Sequence, residues 1–213
     1  MSRTRQLVAP VLLWLLVAVV VGVLFETPAW SATLFEAAVD QTLVNIGTIT
    51  STIMLLSLVA GYGIAFLWSW RTDHNAACIR LLYGGVVIVV IYLLNRILKT
   101  LFGQIRPCHT IQSPTDCPPL DNFSYPSNHT VIAFGLAMGL AFAIPWLSYL
   151  VFPVAVVEGI SRVLAGHHYP HDVLAAAVLG TAGVLATLLI FEVPQAKHAE
   201  QLSAIRARYK TLA

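Results

Sequence analysis

Three short polar segments interrupt an otherwise apolar sequence, and their side chains have the chemistry of an anion-binding catalytic site. They are KTLFGQIRP at residues 99–107, YPSNHT at 125–130 and SRVLAGHHYPHD at 161–172. Lysine and arginine suit a phosphate or pyrophosphate, and arginine binds such a group through two parallel N–H groups. A histidine paired with a carboxylate can act as a nucleophile, and a second histidine can protonate a leaving group. Phosphoryl transfer requires this set of roles.

The composition indicates that membrane helices position these segments. Of the 213 residues, 58% are hydrophobic and only 10% are charged, whereas a soluble domain has about 25% charged residues. So few charges cannot cover a soluble protein, and an integral membrane protein is predicted. The formal net charge of +2 provides no concentrated basic face, which argues against nucleic acid as a partner.

Six apolar stretches approach the roughly 20 residues that a transmembrane helix requires. They lie at residues 6–25, 41–70, 81–103, 129–145, 148–166 and 173–191, with a turn at Pro145 and Trp146 between the fourth and fifth. The sequence therefore predicts an all-α bundle of six transmembrane helices that forms a single domain over residues 1–213. An even number of spans places both termini on the same side of the membrane.

The basic residues predict the orientation, because short cytoplasmic loops carry an excess of lysine and arginine. Eight of them fall on the side that holds both termini: Arg3, Arg5, Arg71, Arg80, Lys197, Arg206, Arg208 and Lys210. That side is predicted to be cytoplasmic. The other four, Arg96, Lys99, Arg106 and Arg162, lie near the opposite ends of their spans, where a cluster of cations suggests an anionic ligand.

The region around the first span has more than one interpretation. Ala29-Trp30-Ser31 loosely matches a signal-peptidase site, but the apolar stretch before it is longer than the usual signal core of about 7–15 residues. Residues 30–43 have apolar side chains on one helical face, with Glu36 and Asp40 on the other. This pattern fits an amphipathic helix on the outer membrane surface, and an ordinary loop is an equal alternative.

The three polar segments resemble the signature of the type 2 phosphatidic acid phosphatase superfamily of lipid phosphate phosphatases. That signature is Lys, six residues, Arg-Pro; then Pro-Ser-Gly-His; then Ser-Arg, five residues, His, three residues, Asp. The matching residues are Lys99, Arg106 and Pro107, then Pro126, Ser127 and His129, then Ser161, Arg162, His168 and Asp172. Asn128 stands where the signature has glycine. A six-span core with cytoplasmic termini is also similar to the bacterial members.

The resemblance implies a catalytic mechanism without metal or other cofactor. His168 would attack phosphorus and form a phosphohistidine, Asp172 would orient His168, and His129 would protonate the departing oxygen and later activate water. The phosphate oxygens would be held by Lys99, Arg106, Arg162 and the backbone and hydroxyl of Ser127 and Asn128. Asparagine tolerates the left-handed backbone region that glycine favours, so we expect the amide-lined cradle to survive at Asn128.

The resemblance also points to a substrate and a location. It favours undecaprenyl or a related polyprenyl pyrophosphate, dephosphorylated at the outer face of a bacterial inner membrane to regenerate the lipid carrier of cell-wall synthesis. Phosphatidylglycerophosphate and phosphatidic acid are alternative substrates, and transfer of the phosphoryl group to another lipid is an alternative reaction. A transporter or binder of phosphate lipids is the non-enzymatic alternative, but it would not need a His-Asp pair beside a second histidine.

Residues near the motifs have less specific interpretations. Glu158 precedes Arg162 by four residues, so we expect it to share a helix face with Arg162 and to neutralise and aim it; a carboxylate facing the cytosolic half or a lipid headgroup is the alternative. Ser161 is expected to support the site from outside the phosphate contacts. Arg96 is expected to extend to the lipid headgroups.

His167 and His171 flank the nucleophile, and with Asp172 they could be read as metal ligands. We expect them instead to lie at the membrane interface or to support the site from behind, because the spacing of the signature selects His168. Cys108 and Cys117 both fall in the predicted outer loop, where a disulfide between them is permitted.

Overall fold

The computed structural model describes residues 3–38, 40–110 and 117–190, and no strand occurs among them. Eight α-helices follow one another along the chain: α1 (Arg3–Glu26), α2 (Ala29–Ala38), α3 (Gln41–Arg71), α4 (Asn75–Phe102), α5 (Pro107–Thr110), α6 (Asn128–Ala143), α7 (Ser148–Leu164) and α8 (Pro170–Val178). A 3₁₀ turn at Pro145–Leu147 separates α6 from α7, at the turn predicted there. Helix α8 continues through a π-helical turn, Leu179–Gly183, to residue 190.

Five helical segments of the described chain are long and apolar enough to cross a membrane. They are Leu7–Glu26, Thr42–Arg71, Asn75–Thr110, Pro145–Leu164 and Pro170–Ile190. Helix α6 is also apolar but has only 16 residues. The prediction of an all-helical membrane protein is therefore confirmed. Residues 197–210, which carry four of the basic residues used to predict the orientation, lie outside the described residues.

The helix predicted at residues 30–43 is wrong in its C-terminal boundary. Helix α2 ends at Ala38, and Asp40 is the N-cap of the next helix, α3. The Asp40 carboxylate accepts a hydrogen bond of 2.9 Å from the Leu43 amide, which satisfies one of the unpaired N–H groups at the start of a helix. The chain therefore leaves α2 before Asp40, although the apolar pattern continues past it.

Helix α6 lies at the centre of the bundle and packs against α3, α4, α7 and α8. Its buried residues include several small ones, among them Ala133, Gly135, Ala137 and Gly139. Small residues allow membrane helices to approach closely. Gly180 in the π-helical turn uses this space, because a Cβ atom there would lie 2.7 Å from the carbonyl oxygen of Val131.

The closest helix contact near the polar segments is between α3 and the C-terminal end of α7. A Cβ atom on Gly47 would lie 2.6 Å from the Ala165 nitrogen and 2.9 Å from the Ser161 carbonyl oxygen. One turn later, Ser51 donates a hydrogen bond of 3.0 Å to Glu158 Oε1. A small residue at each of these positions, four residues apart, lets the two backbones meet. This contact fixes the last turn of α7, which carries Arg162.

We predict that Gly47→Ala destabilises the protein. Alanine normally favours a helix over glycine by about 1 kcal/mol, but the added methyl group would meet backbone atoms, and overpacking of this kind costs about 1–3 kcal/mol. Gly61→Ala on the same helix is the matched control, because nothing lies within 4 Å of a Cβ atom there. Thermal unfolding in detergent should show a lower midpoint for Gly47→Ala alone. Equal midpoints for the two variants would mean that α3 does not constrain α7.

Candidate active site

The polar segments meet at one end of the bundle, where the C-terminal ends of α4 and α7 face the N-terminal ends of α6 and α8. The charged and titratable side chains buried there, each at most 7% exposed, are Lys99, Arg106, Glu158, Arg162, His168, His171 and Asp172. Burial of so many ionisable groups is costly unless they pair with one another or with a ligand. The contacts of each group therefore show which of them are paired within the protein and which are left for a ligand.

The segment after Cys117 holds two of the cations. A disulfide joins Cys117 to Cys108, which lies in the short helix α5. Arg106 donates from Nε to the Asn122 carbonyl oxygen at 2.7 Å and from Nη2 to Asn122 Oδ1 at 3.0 Å. Lys99 Nζ donates to the Phe123 carbonyl oxygen at 2.5 Å. Both side chains are thus held by neutral acceptors, and neither forms an ion pair with a carboxylate among the described residues.

His168 presents its Nε2 lone pair to this group of cations. Arg106 Nη1 lies 3.0 Å from His168 Nε2, and because a guanidinium only donates hydrogen bonds, Nε2 must be the acceptor and Nδ1 carries the proton. Burial and the nearby charges of Arg106, Arg162 and Lys99 hold the pKa of His168 well below its usual range. The ring is therefore neutral at pH 7, with Nε2 as the nitrogen available for attack.

The Nδ1 side of His168 faces two partners. Asp172 Oδ2 lies 3.4 Å from Nδ1, and Ser124 Oγ lies 3.3 Å from it. The Ser124 hydroxyl also donates a short hydrogen bond to Asp172 Oδ2. Ser124 therefore bridges the histidine and the carboxylate. The ring is oriented by this pair, with the serine making the shorter contact.

Asp172 receives hydrogen bonds from several parts of the chain. Its Oδ2 accepts from the Tyr169 amide at 2.9 Å, which caps α8, and its Oδ1 accepts from Gln104 Nε2 at 3.3 Å. Its position in the first turn of α8 also favours a negative charge. Pro170 is the first residue of that helix, where its missing N–H costs no helical hydrogen bond.

His171 is buried behind the site and contacts Asp172. Its ring is buried between Tyr125 and Tyr169, with centroid distances of 5.5 Å to each, so it does not lie at the membrane interface. Its Nε2 is 3.2 Å from Asp172 Oδ1 and 3.1 Å from Gln104 Oε1. The contact arises because Nε2 rather than Nδ1 faces the carboxylate. His171 thus supports the side of Asp172 opposite His168.

Asn128 does not adopt the left-handed conformation that glycine favours at this position of the signature, and the expected amide-lined cradle stays a prediction. Asn128 is the first residue of α6, and Asp73 is the only non-glycine residue with positive φ in the part of the chain that the structure describes. The Ser127 amide is also taken, because it donates to the Asp172 carbonyl oxygen at 3.2 Å. The donors are instead those of a helix N-terminus, where the first N–H groups lack helical partners. Asn128 uses its side chain to accept from Asn95 Nδ2 at 2.7 Å.

Arg162 and His129 complete the set of predicted site residues. The Arg162 guanidinium has no hydrogen-bond partner among the described residues, and its Nε is buried. Buried donors without partners cost roughly 1–3 kcal/mol each, so Arg162 is poised for an anion. His129, the second residue of α6, is partly exposed. Neither of its ring nitrogens bonds to a residue within the described ranges.

Glu158 and Ser161 have their contacts elsewhere. Glu158 is fully buried, and its carboxylate accepts a hydrogen bond from the Ser51 hydroxyl. No carboxylate oxygen of Glu158 lies within 4 Å of an Arg162 nitrogen in the described chain, so the two side chains form no ion pair. Its charge therefore acts on Arg162 without a direct contact. The Ser161 hydroxyl donates to the Val157 carbonyl oxygen of its own helix at 2.7 Å, and it makes no hydrogen bond to Lys99, Arg106 or Arg162 in the described chain.

Two cavities of different character flank the cluster. A polar cavity of about 430 Å³ includes Lys99 and Asn128 in its lining. A largely apolar cavity of about 440 Å³ reaches Gln104 and His171 and is otherwise lined by Phe25, Pro28, Ala29, Ala32, Ile105 and Tyr169. The site therefore adjoins both a polar and an apolar space.

Four residues of the site were missed by the sequence reasoning: Asn95, Gln104, Asn122 and Ser124. Asn95 had a recognisable signal, since a fully buried amide in an apolar span requires a partner. Gln104 lies inside the first polar segment, between Lys99 and Arg106, but it has no fixed place in the signature. Asn122 and Ser124 belong to a loop whose position depends on tertiary contacts, and nothing in their local sequence distinguishes them.

Comparison with known proteins gives consistent matches. The PAP2 superfamily model matches residues 80–195. The chain is 31% identical over 131 residues to the bacitracin transport permease protein BcrC of Bacillus licheniformis, covering 61% of this chain and 62% of that protein. It is 26% identical over 123 residues to the undecaprenyl-diphosphatase BcrC of Bacillus subtilis strain 168, covering 57% and 63%. The match thus spans somewhat less than two thirds of each relative's length.

A solved structure shares the fold. The transmembrane PAP2 type phosphatidylglycerolphosphate phosphatase from Bacillus subtilis superposes with a TM-score of 0.59 at 25% identity, covering 89% of this chain and 96% of that one. The family model covers more than half of the chain and includes all three polar segments. The resemblance inferred from the motifs is therefore confirmed, and the chain belongs to the PAP2 superfamily.

Proposed function

We propose that this protein is a membrane lipid phosphatase that hydrolyses a polyprenyl diphosphate, such as undecaprenyl diphosphate, through a phosphohistidine. The observation that carries the proposal is His168, a neutral and buried imidazole whose Nε2 lies 3.0 Å from Arg106 Nη1. A nucleophile beside fixed cations, with a carboxylate behind it, is the arrangement that phosphoryl transfer needs.

In the first step, His168 Nε2 attacks the terminal phosphorus. A P–N bond forms while the P–O bond to the lipid breaks, and the electron pair leaves with the bridging oxygen. His129 gives a proton to that oxygen. The entering phosphate accepts the hydrogen bond that Arg106 Nη1 otherwise donates to His168 Nε2, and this frees Nε2 for attack. The same phosphate accepts hydrogen bonds from the buried Arg162, which has no other partner among the described residues. Asp172 and Ser124 hold the Nδ1 proton and stabilise the positive charge that develops on the ring.

In the second step, water attacks the phosphohistidine and gives a proton to His129. The P–N bond breaks, inorganic phosphate leaves, and His168 returns to its neutral form. The phosphate charge is balanced throughout by Lys99, Arg106 and Arg162 and by the N-terminal amides of α6. No metal or cofactor enters these steps.

We further propose that α6 is a sixth span and that the active site faces outward in a bacterial inner membrane. Helix α6 has only 16 residues, but it is apolar and enclosed by the longer helices, so it can cross with its ends in polar surroundings. The basic loop between Arg71 and Arg80 lies at the end of the bundle opposite His168. By the positive-inside rule this loop and both termini are cytoplasmic, and residues 104–128 face outward.

The choice of a polyprenyl diphosphate rests on two supports. One relative is named an undecaprenyl-diphosphatase. The apolar cavity beside Gln104 and His171 also provides a place for the first part of a lipid chain next to the reacting phosphate. Another relative is named a transport permease, but simple transport needs no oriented histidine between Arg106 and Asp172. Phosphatidylglycerophosphate and phosphatidic acid remain the alternative substrates.

The function is tested by assaying the purified protein against a panel of lipids. We predict phosphate release from a polyprenyl diphosphate in excess EDTA, and inhibition by vanadate, because lysine and arginine supply the charge stabilisation that a metal supplies elsewhere. Phosphatidylglycerophosphate, phosphatidic acid and a labelled acceptor lipid complete the panel. Activity that is lost in EDTA and restored by a divalent ion would contradict the mechanism, and release from no lipid would favour the transporter.

The nucleophile is tested by quenching the reaction in alkali, where the P–N bond of a phosphohistidine is stable, and mapping the covalent phosphate; the same label should be lost on mild acid treatment. We expect it on His168, and we expect none in His168→Ala. His129→Ala should form it about 100-fold to 10,000-fold more slowly, because leaving-group protonation is lost, and least so with a good leaving group. His167→Ala serves as the control, and phosphate mapped to His129, His167 or His171 would overturn the assignment.

The position of Ser124 predicts a further effect on the first step. Ser124→Ala removes the hydroxyl that bridges His168 Nδ1 and Asp172, so we expect kcat and the rate of phosphoenzyme formation to fall about 10-fold to 100-fold, with a smaller change in KM. Ser57→Ala is a suitable control, since its exposed hydroxyl bonds only to the Met54 carbonyl oxygen. An unchanged rate of phosphoenzyme formation would show that Asp172 orients the ring alone.

A further inference from the structure

The polar cavity next to the active site has a lining suited to a second anionic group. Its volume is about 430 Å³, and it shares Lys99 and Asn128 with the phosphate site. Tyr92, Arg96 and Thr100 also line it. With Lys99, these residues follow one another on α4 at intervals that place them on one helix face. One side of the cavity therefore carries two cations, Arg96 and Lys99, and the Tyr92 hydroxyl, whereas the Thr100 hydroxyl donates to the Ile97 carbonyl oxygen of its own helix at 2.8 Å.

Arg96 is not explained by the catalytic steps. It lies outside the family signature, and its guanidinium has no hydrogen bond or ion pair to any residue of the described ranges. Asp121 is the single acidic residue in the lining, and it forms no ion pair with Arg96 within 4 Å. Arg96 is exposed and lines the same cavity as Lys99 and Asn128, and its expected extension to lipid headgroups stays a prediction.

The charges of a diphosphate match this arrangement. In the proposed mechanism the terminal phosphate is bound by Arg106, Arg162 and Lys99, and the second phosphate carries a further negative charge that needs a cation beside it. The two phosphates of one diphosphate share an oxygen atom, so their binding sites must adjoin. Lys99 borders both sites, and Arg96 precedes it by three residues on α4.

We propose that this cavity binds the second, non-reacting phosphate of a lipid diphosphate, with Arg96 as its principal ligand and Lys99 between the two phosphates. This inference rests on the proposed function and specifies its substrate class. A lipid monophosphate has no second phosphate that could occupy the cavity. Arg96 is therefore a specificity residue that favours diphosphates over monophosphates of the same chain.

The test compares farnesyl diphosphate with farnesyl monophosphate as substrates of the full-length protein in detergent. Arg96→Gln should lower kcat/KM for the diphosphate about 10-fold, because a charge-assisted contact is lost, and should change the value for the monophosphate much less. Inorganic pyrophosphate should inhibit the variant about 10-fold more weakly, while inhibition by vanadate should be similar to that of the parent protein. The inhibition measurement reports binding apart from turnover.

Arg80→Gln is the matched control, because Arg80 lies on the same helix and stacks on the Phe142 ring at 5.6 Å, away from the cavity. Equal losses on both substrates, or no loss on either, would overturn the inference while leaving the phosphatase function intact. A parent protein that hydrolyses the monophosphate but not the diphosphate would overturn the substrate class and this inference together. Release of phosphate from neither substrate would reject the proposed function itself.

Discussion

The hydrogen bonding of the buried Asp172 is the constraint on which the rest of the site depends. Its carboxylate contacts Ser124 and Gln104 from two different loops, and its carbonyl oxygen accepts from Ser127 at the start of α6. An ionised carboxylate that is fully buried is tolerated only when such donors surround it. The same contacts that stabilise Asp172 therefore bring the loops and the ends of α6 and α8 together around His168.

The cations of the site are held in place but not neutralised. Lys99 and Arg106 are bound by backbone carbonyl oxygens and an amide, and Arg162 has no partner among the described residues. Neutral acceptors fix the geometry of these side chains while preserving the electric field that a phosphate dianion requires. The segment after Cys117 is central to this, because Asn122 and Phe123 supply those acceptors and a disulfide anchors its start.

Packing between α3 and α7 positions a further cation of the site, Arg162. Gly47 and Ser51 let α3 meet the last turn of α7, and Ser51 donates to the buried Glu158. Glu158 lies one turn before Arg162, so the position of that cation is set by the contact between two helices. An apolar cavity on one side of the cluster and a polar one on the other fit an amphiphilic substrate, whose chain and charged group separate at the reacting phosphorus.

The sequence alone determined the class of protein and predicted most of the residues that the structure brings together at the candidate site. Low charge and long apolar runs require a membrane bundle, and the fixed spacing of Lys99, Arg106, Arg162, His168 and Asp172 expresses local geometry at helix ends. Contacts between residues that are far apart in the sequence were decided only by the tertiary structure. The bridge made by Ser124 reaches His168 and Asp172 over 44 and 48 positions of the chain, and Gln104 contacts His171 and Asp172 from 67 and 68 positions away. Such contacts arise only when the loops fold against the helix ends, because an isolated segment has no partner to select one arrangement of its polar side chains.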